Sequence, residues 1–91
     1  MKKTVITVLG KDRVGIIAGV CNFLAEHSVN ILDLSQTIVD GYFNMMMVVD
    51  IGTSSESFQF LSEGLEELGR EKLGVQIKMQ QEAIFEAMHR I

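Results

Sequence analysis

The chain has 91 residues, 47% apolar and 22% charged, with no Pro and no Trp, and eight Lys and Arg against twelve Asp and Glu leave a net charge of −4. That length fits one domain, and the composition excludes a disordered, collagen-like or proline-rich chain. Between Arg13 and Arg70 there are eight acids and no Lys or Arg, which excludes a basic face for nucleic acid or an anionic membrane.

Met1-Lys2-Lys3 before an apolar stretch has the outline of a signal peptide, but Lys11 and Asp12 end the stretch without a small-residue cleavage site. The stretch reads instead as a first strand, Thr4 to Leu9, β-branched and buried on both faces. No apolar run approaches the roughly 18 residues of a transmembrane helix. Asp12 is a candidate cap for the next element, a helix from Val14 to His27 with Ile16, Ile17, Val20, Phe23 and Leu24 at helical spacing. Gly19 suits close packing of that helix on a sheet, whereas Gly15 lies in the first turn, where backbone can face a ligand. The single cysteine, Cys21, falls in the apolar run and reads as buried packing, consistent with a reducing cytoplasm. His27 reads as a helix C-terminal residue.

Asp40-Gly41 is the signal for a two-residue hairpin turn between Val29–Val39 and Tyr42–Ile51. Such a turn sets Val39 against Tyr42, Ile38 against Phe43, Gln36 against Met45, Leu34 against Met47 and Leu32 against Val49. The other face then carries Thr37 with Asn44, Ser35 with Met46 and Asp33 with Val48. A bulge in the first of these strands would move Asn30 and Ile31 to the other faces. Met45 and Met47 read as core and Met46 as opposite-facing, so the three cannot chelate a soft metal together.

Thr53 and Glu56 have capping-box spacing before a helix whose apolar stripe is Phe58, Leu61, Leu65 and Leu68, with Gly74 as its stop. Val75, Ile77 and Met79 alternate with Gln76, Lys78 and Gln80 as a strand with one wet face. Residues 81–91 place Ile84, Phe85, Met88 and Ile91 on one side of a short helical extension beyond a domain of residues 1–80. The order βαββαβ predicts an α+β, ferredoxin-like sandwich: a four-stranded antiparallel sheet with two helices on one face. The second strand becomes a sheet edge with neither Lys nor Pro to guard it, so a second subunit is expected to cover it.

Candidate chemistry is sparse. Gly10 and Gly15 have P-loop spacing, but Ile16 and Ile17 stand where Lys and a hydroxyl residue are needed, and no nucleophile sits beside a base. Neither histidine has metal-ligand spacing, and no cofactor is expected. The loop from Gly10 to Ile16 leads from a strand into a helix N-terminus, whose amides and dipole attract a carboxylate. Asp12 can take an ammonium group, and Asn30, expected near the same end of the sheet, supplies a donor and an acceptor. A free amino acid suits such a site. The same residues also suit plainer roles, Asp12 as cap, Arg13 as solvated side chain and Asn30 as turn former.

Asp12-Arg13-Val14-Gly15-Ile16 after the first strand and Val29-Asn30-Ile31 opening the second resemble the ACT domain family of small-molecule sensing modules, over about Lys3 to Met79. The whole chain is also similar to small stand-alone bacterial ACT proteins, which lack an attached enzyme. The resemblance implies a regulatory, non-catalytic module that dimerises through the second strand and first helix, with an amino-acid ligand at the interface and a regulated protein as a further partner. It assigns ligand contact to Asp12, Val14, Gly15, Ile16, Asn30 and Ile31, with Arg13 inside the same motif. The alternative is a ligand-free protein–protein interaction module using the sheet face and the C-terminal helix.

Overall fold

The computed structural model describes residues 2–82. In chain order these form β1 (Lys3–Lys11), α1 (Ile16–Glu26), β2 (Asn30–Val39), β3 (Tyr42–Asp50), a single 3-10 turn (Ile51–Thr53), α2 (Phe58–Leu68), a π-helical turn (Gly69–Leu73) and β4 (Val75–Gln81). The strands make one antiparallel sheet in the order β2-β3-β1-β4. This is the expected ferredoxin-like arrangement. β4 runs through Gln81, and the expected helical stripe of Ile84, Phe85, Met88 and Ile91 lies outside the described residues.

The β2–β3 hairpin closes where the sequence requires it. Asp40 (φ 51°) and Gly41 (φ 79°) both take the left-handed conformation of a two-residue turn. The register follows from that turn: Val39 pairs with Tyr42, Ile38 with Phe43, Gln36 with Met45 and Leu34 with Met47. A bulge between Ile31 and Asp33 leaves Leu32 without a cross-strand partner, so Ile31 rather than Leu32 opposes Val49, and Asn30 opposes Asp50. The bulge keeps the β-branched Ile31 on the helix-covered side, where it packs against the core, and leaves Leu32 exposed.

The core lies between the sheet and the helices. Ile6, Val8, Met45, Met47, Val49 and Ile77 meet Ile16, Val20 and Leu24 of α1 and Leu61 and Leu65 of α2. Each such side chain contributes about 1.5–3 kcal/mol by leaving water. The spacing that suggested α1 is confirmed at Ile16, Val20 and Leu24, while Ile17 is part exposed. Cys21 is half-buried against the same core. Gly19 meets Leu73 of the π-helical turn, a Cβ there standing 2.8 Å from Leu73 Cδ2, so its small size serves contact between helical segments and not between helix and sheet. β1 is covered on both sides over part of its length: Ile6 and Val8 are buried beneath the helices and Val5 is buried on the outer face, but Leu9 on that outer face is 51% exposed.

The connections also depart from expectation. Ser57, not Thr53, caps α2, its Oγ accepting from the Phe60 amide at 3.1 Å. Such a cap contributes about 1 kcal/mol. Thr53 is held in the 3-10 turn and donates its hydroxyl to the Ser28 carbonyl at 2.7 Å, tying the β3–α2 connection to the α1–β2 connection. Gly74 (φ 68°) ends the helical segment as expected. His27 sets its ring against Phe23 and Phe60, with centroids 4.5 and 5.5 Å away.

Candidate ligand-binding site

The β1–α1 loop is anchored by its backbone. The Asp12 amide donates to the Gly41 carbonyl at 2.8 Å, so the loop and the β2–β3 turn share one end of the sheet. Asp12 does not cap α1. The N-cap is Gly15, at φ 96° and ψ −3°, which has no side chain to accept a hydrogen bond from the first turn. The first intrahelical bond runs from the Gly19 amide to the Gly15 carbonyl at 2.9 Å. The amides of Ile16, Ile17 and Ala18 therefore carry the partial positive charge of an uncapped helix start. Nothing lies within 4 Å of where a Gly15 Cβ would stand, so the approach is open.

The remaining loop residues divide by role. Val14 is fully exposed, and Ile16 is 1% exposed, so Ile16 offers a ligand only its amide. Arg13 leans over Gly74, its Nη1 2.9 Å from the place a Cβ would take there, which turns the guanidinium toward the β4 side of the sheet.

Asn30 and Ile31 do not join this cluster. Lys11 pairs with Tyr42 and Tyr42 with Val39 at the loop end of the sheet, whereas Asn30 pairs with Asp50 and Asp50 with Lys3 at the other end. Eight strand steps separate the two ends, about 26 Å at 3.3 Å per residue. The expectation of a shared end fails because the eleven-residue α1 runs back along the sheet, so the strand after it starts where β1 starts. Asn30 is exposed and Ile31 half-buried.

Asp50, beside Asn30, is committed to the fold. Its Oδ1 accepts from the Lys2 amide at 3.0 Å and the Gly52 amide at 2.9 Å, and these bonds hold the carboxyl below its ordinary value. Sequence pattern gave no signal for this role, because Asp50 ends an apolar strand as many turn residues do.

The edge strand β2 runs from the Asn30 end of the sheet to the loop end. Leu34, Gln36 and Ile38 share the helix-side face with Met47, Met45 and Phe43, yet the helices leave Leu34 38% and Ile38 53% exposed while their β3 partners are buried. β2 pairs with β3 alone among the described residues. The same residues contain no group of three or more metal-ligating side chains and no helix long and apolar enough to cross a membrane.

Comparison with known proteins agrees with this architecture. A UPF0237 protein of Bifidobacterium longum is 55% identical over 91 residues, the whole of both chains. An ACT domain protein from Streptococcus pneumoniae matches with a TM-score of 0.81 and 47% identity, over 96% of this chain and 97% of that one. A formyltetrahydrofolate deformylase from Pseudomonas syringae matches with a TM-score of 0.79 and 26% identity over 88% of this chain but only 27% of its own. The model of the ACT domain matches residues 2–80, and with the βαββαβ sheet and the Asp12–Ile16 loop in place, the chain belongs to the ACT domain family.

Proposed function

We propose that this protein is a regulatory module without catalysis of its own, which binds an amino acid at a site completed by a second copy of the chain. The observation that carries this reading is the separation of the two half-sites by the length of the sheet, with a bare edge strand running between them. Antiparallel pairing of β2 with its own copy, centred on the middle of the strand, brings Asn30 of the second copy beside the Val39 end of the first. That is the end at which Gly15 opens α1. Leu34 and Ile38 would then be covered, and neither Lys nor Pro opposes the pairing.

The chemistry of the joined halves suits a zwitterion. The uncapped α1 amides accept a carboxylate, the exposed Asp12 carboxylate takes an ammonium, and Asn30 of the second copy supplies a donor and an acceptor. The deformylase, in which the match covers 27% of a larger chain, supports a domain that serves other machinery.

Thermal unfolding of the purified protein with each of the twenty amino acids is the direct test. A ligand at 100 times its dissociation constant adds about 2.7 kcal/mol of stability. An upward shift with one or a few amino acids is the expected outcome, and a flat response to all twenty rejects an amino-acid ligand.

A further inference from the structure

The opposite edge of the sheet holds a groove of about 630 Å³, bounded by Glu66 and Arg70 on the α2 side and by residues 74–78 on the other. It runs along the strand edge opposite β2, and its Gly74–Val75 end adjoins the β1–α1 loop, where Val75 pairs with Gly10. Its wall includes Val75 and Ile77, whose side chains turn under the helices, and Gln76 and Lys78, whose side chains turn outward. A groove that touches both faces of one strand follows the strand's open edge, the position a fifth strand would occupy. β4 pairs with β1 alone, and no strand lies along the other edge of residues 75–78 among the described residues. Four residues of edge span about 13 Å of extended chain.

Charge selects the occupant. Arg70 and Lys78 line the groove and the Arg13 guanidinium lies over Gly74 at its end, against Glu66 in the wall and Glu71, which stands 3.5 Å from Arg70 at the surface. Three cations gather there in a chain of net charge −4. Lys78 is also the middle residue of Val75–Gln81, so a second copy pairing antiparallel along this edge about the strand's centre would set Lys78 against its own image. Like charges directly opposed disfavour that pairing. The two edges are thus built differently: β2 has neither Lys nor Pro and a single charge, Asp33, whereas β4 is guarded against itself and complementary to negative charge. We propose that the β4 edge docks an extended, acidic segment of a partner protein, which adds to the sheet as a fifth strand through backbone hydrogen bonds. This gives the module an output surface, and it does not depend on the ligand reading.

Two fluorescein-labelled heptapeptides, one alternating valine with glutamate and one alternating valine with lysine, test this by fluorescence polarisation against the full chain. The glutamate peptide is expected to bind and the lysine peptide to bind at least about tenfold more weakly, a difference two surface charges can supply. Arg70→Glu combined with Lys78→Glu should reverse that order, and amide shifts in the wild-type complex should fall on residues 75–78. Absence of binding, equal binding of the two peptides, or shifts confined to β2 and Gly15 overturns the proposal. So does displacement of the peptide by free glutamate, which would assign the groove to a small anion, or a light-scattering mass above a dimer, which would assign it to another copy of the chain. Should the double variant not fold, the wild-type discrimination between the two peptides still decides. A flat amino-acid titration leaves this result untouched, and a failed peptide titration leaves the amino-acid result untouched.

Discussion

On the proposed reading, the loop and Asn30, about 26 Å apart in one chain, are halves of one site, which makes a specific demand on mixed dimers. Gly15→Val places a side chain in front of the α1 amides, where the space is open, at a strain of about 1–2 kcal/mol for a non-glycine residue with positive φ. Asn30→Ala removes the other half and disturbs little, because the side chain is exposed. Each variant alone should bind no amino acid. Mixed in equal amounts and refolded together, they form heterodimers as half of all dimers. In each heterodimer the intact loop of the Asn30→Ala chain meets the intact Asn30 of the Gly15→Val chain, so one of its two sites is wild type. The mixture should therefore recover about a quarter of the wild-type stoichiometry, with wild-type affinity, as expected for a symmetric interface in which each copy contributes to both sites. Isothermal titration of wild type, each variant and the mixture with the amino acid found by thermal unfolding measures this directly. A mixture as silent as its components, beside a wild type that binds, would show that each site is built within one chain.

Leu34→Lys with Ile38→Lys should give a light-scattering mass of one chain and abolish amino-acid binding with the fold retained, because both side chains are already part exposed and charge guards an edge against pairing. If the site exists only in the dimer, ligand at 100 times its dissociation constant should tighten dimerisation by about four orders of magnitude, one factor of about a hundred from each site, measurable by sedimentation equilibrium; an unchanged constant refutes the coupling. Thr4→Val should stabilise the protein by about 1 kcal/mol in denaturant unfolding, because the Thr4 hydroxyl is buried without a hydrogen-bond partner among the described residues, and a loss of stability would mean that the hydroxyl is satisfied. Asp50 has a depressed carboxyl in the folded state, so the stability it contributes is fully present above the ordinary carboxylate range near pH 4 and is lost as the pH falls through its folded value. Asp50→Asn should flatten the acid limb of stability against pH, and an unchanged acid limb contradicts this.

Features governed by neighbouring residues were legible in the sequence. Asp40-Gly41 admits few backbone conformations, and once both residues turn left-handed the register of Phe43, Met45 and Met47 follows without further choice. The alternation of Val75, Ile77 and Met79 was equally plain, because a strand has only two faces. Choices between like candidates were not legible. Thr53 and Ser57 both offer a hydroxyl before α2, and the 3-10 turn that continues from β3 through Asp50 and Gly52 gives the cap to Ser57. The bulge at Leu32 is decided by which of two apolar residues fits beneath α1, a tertiary matter. Asn30 was misplaced for a geometric reason: a short motif shows which residues are present, but only the path of α1 shows at which end of the sheet they stand.

On the proposed reading the loop by itself is half a pocket, and the magnitudes indicate why that matters. A helix start contributes roughly 0.3–1 kcal/mol toward an exposed anion, while even millimolar binding needs about 4 kcal/mol. Small-molecule sites reach such values by burying most of the ligand between walls. Around Gly15 a single chain supplies one wall: Val14 is fully exposed, nothing stands within 4 Å of a Gly15 Cβ, and Arg13 is turned away over Gly74. Among the described residues, a two-layer sandwich with both helices on one side has no further element to close that space. The nearest unused surface is the β2 edge, whose apolar residues have no cover of their own, so the element able to finish the pocket is the one whose docking would bury that edge. In a chain of 91 residues, dimerisation and ligand binding would thus draw on the same exposed strand.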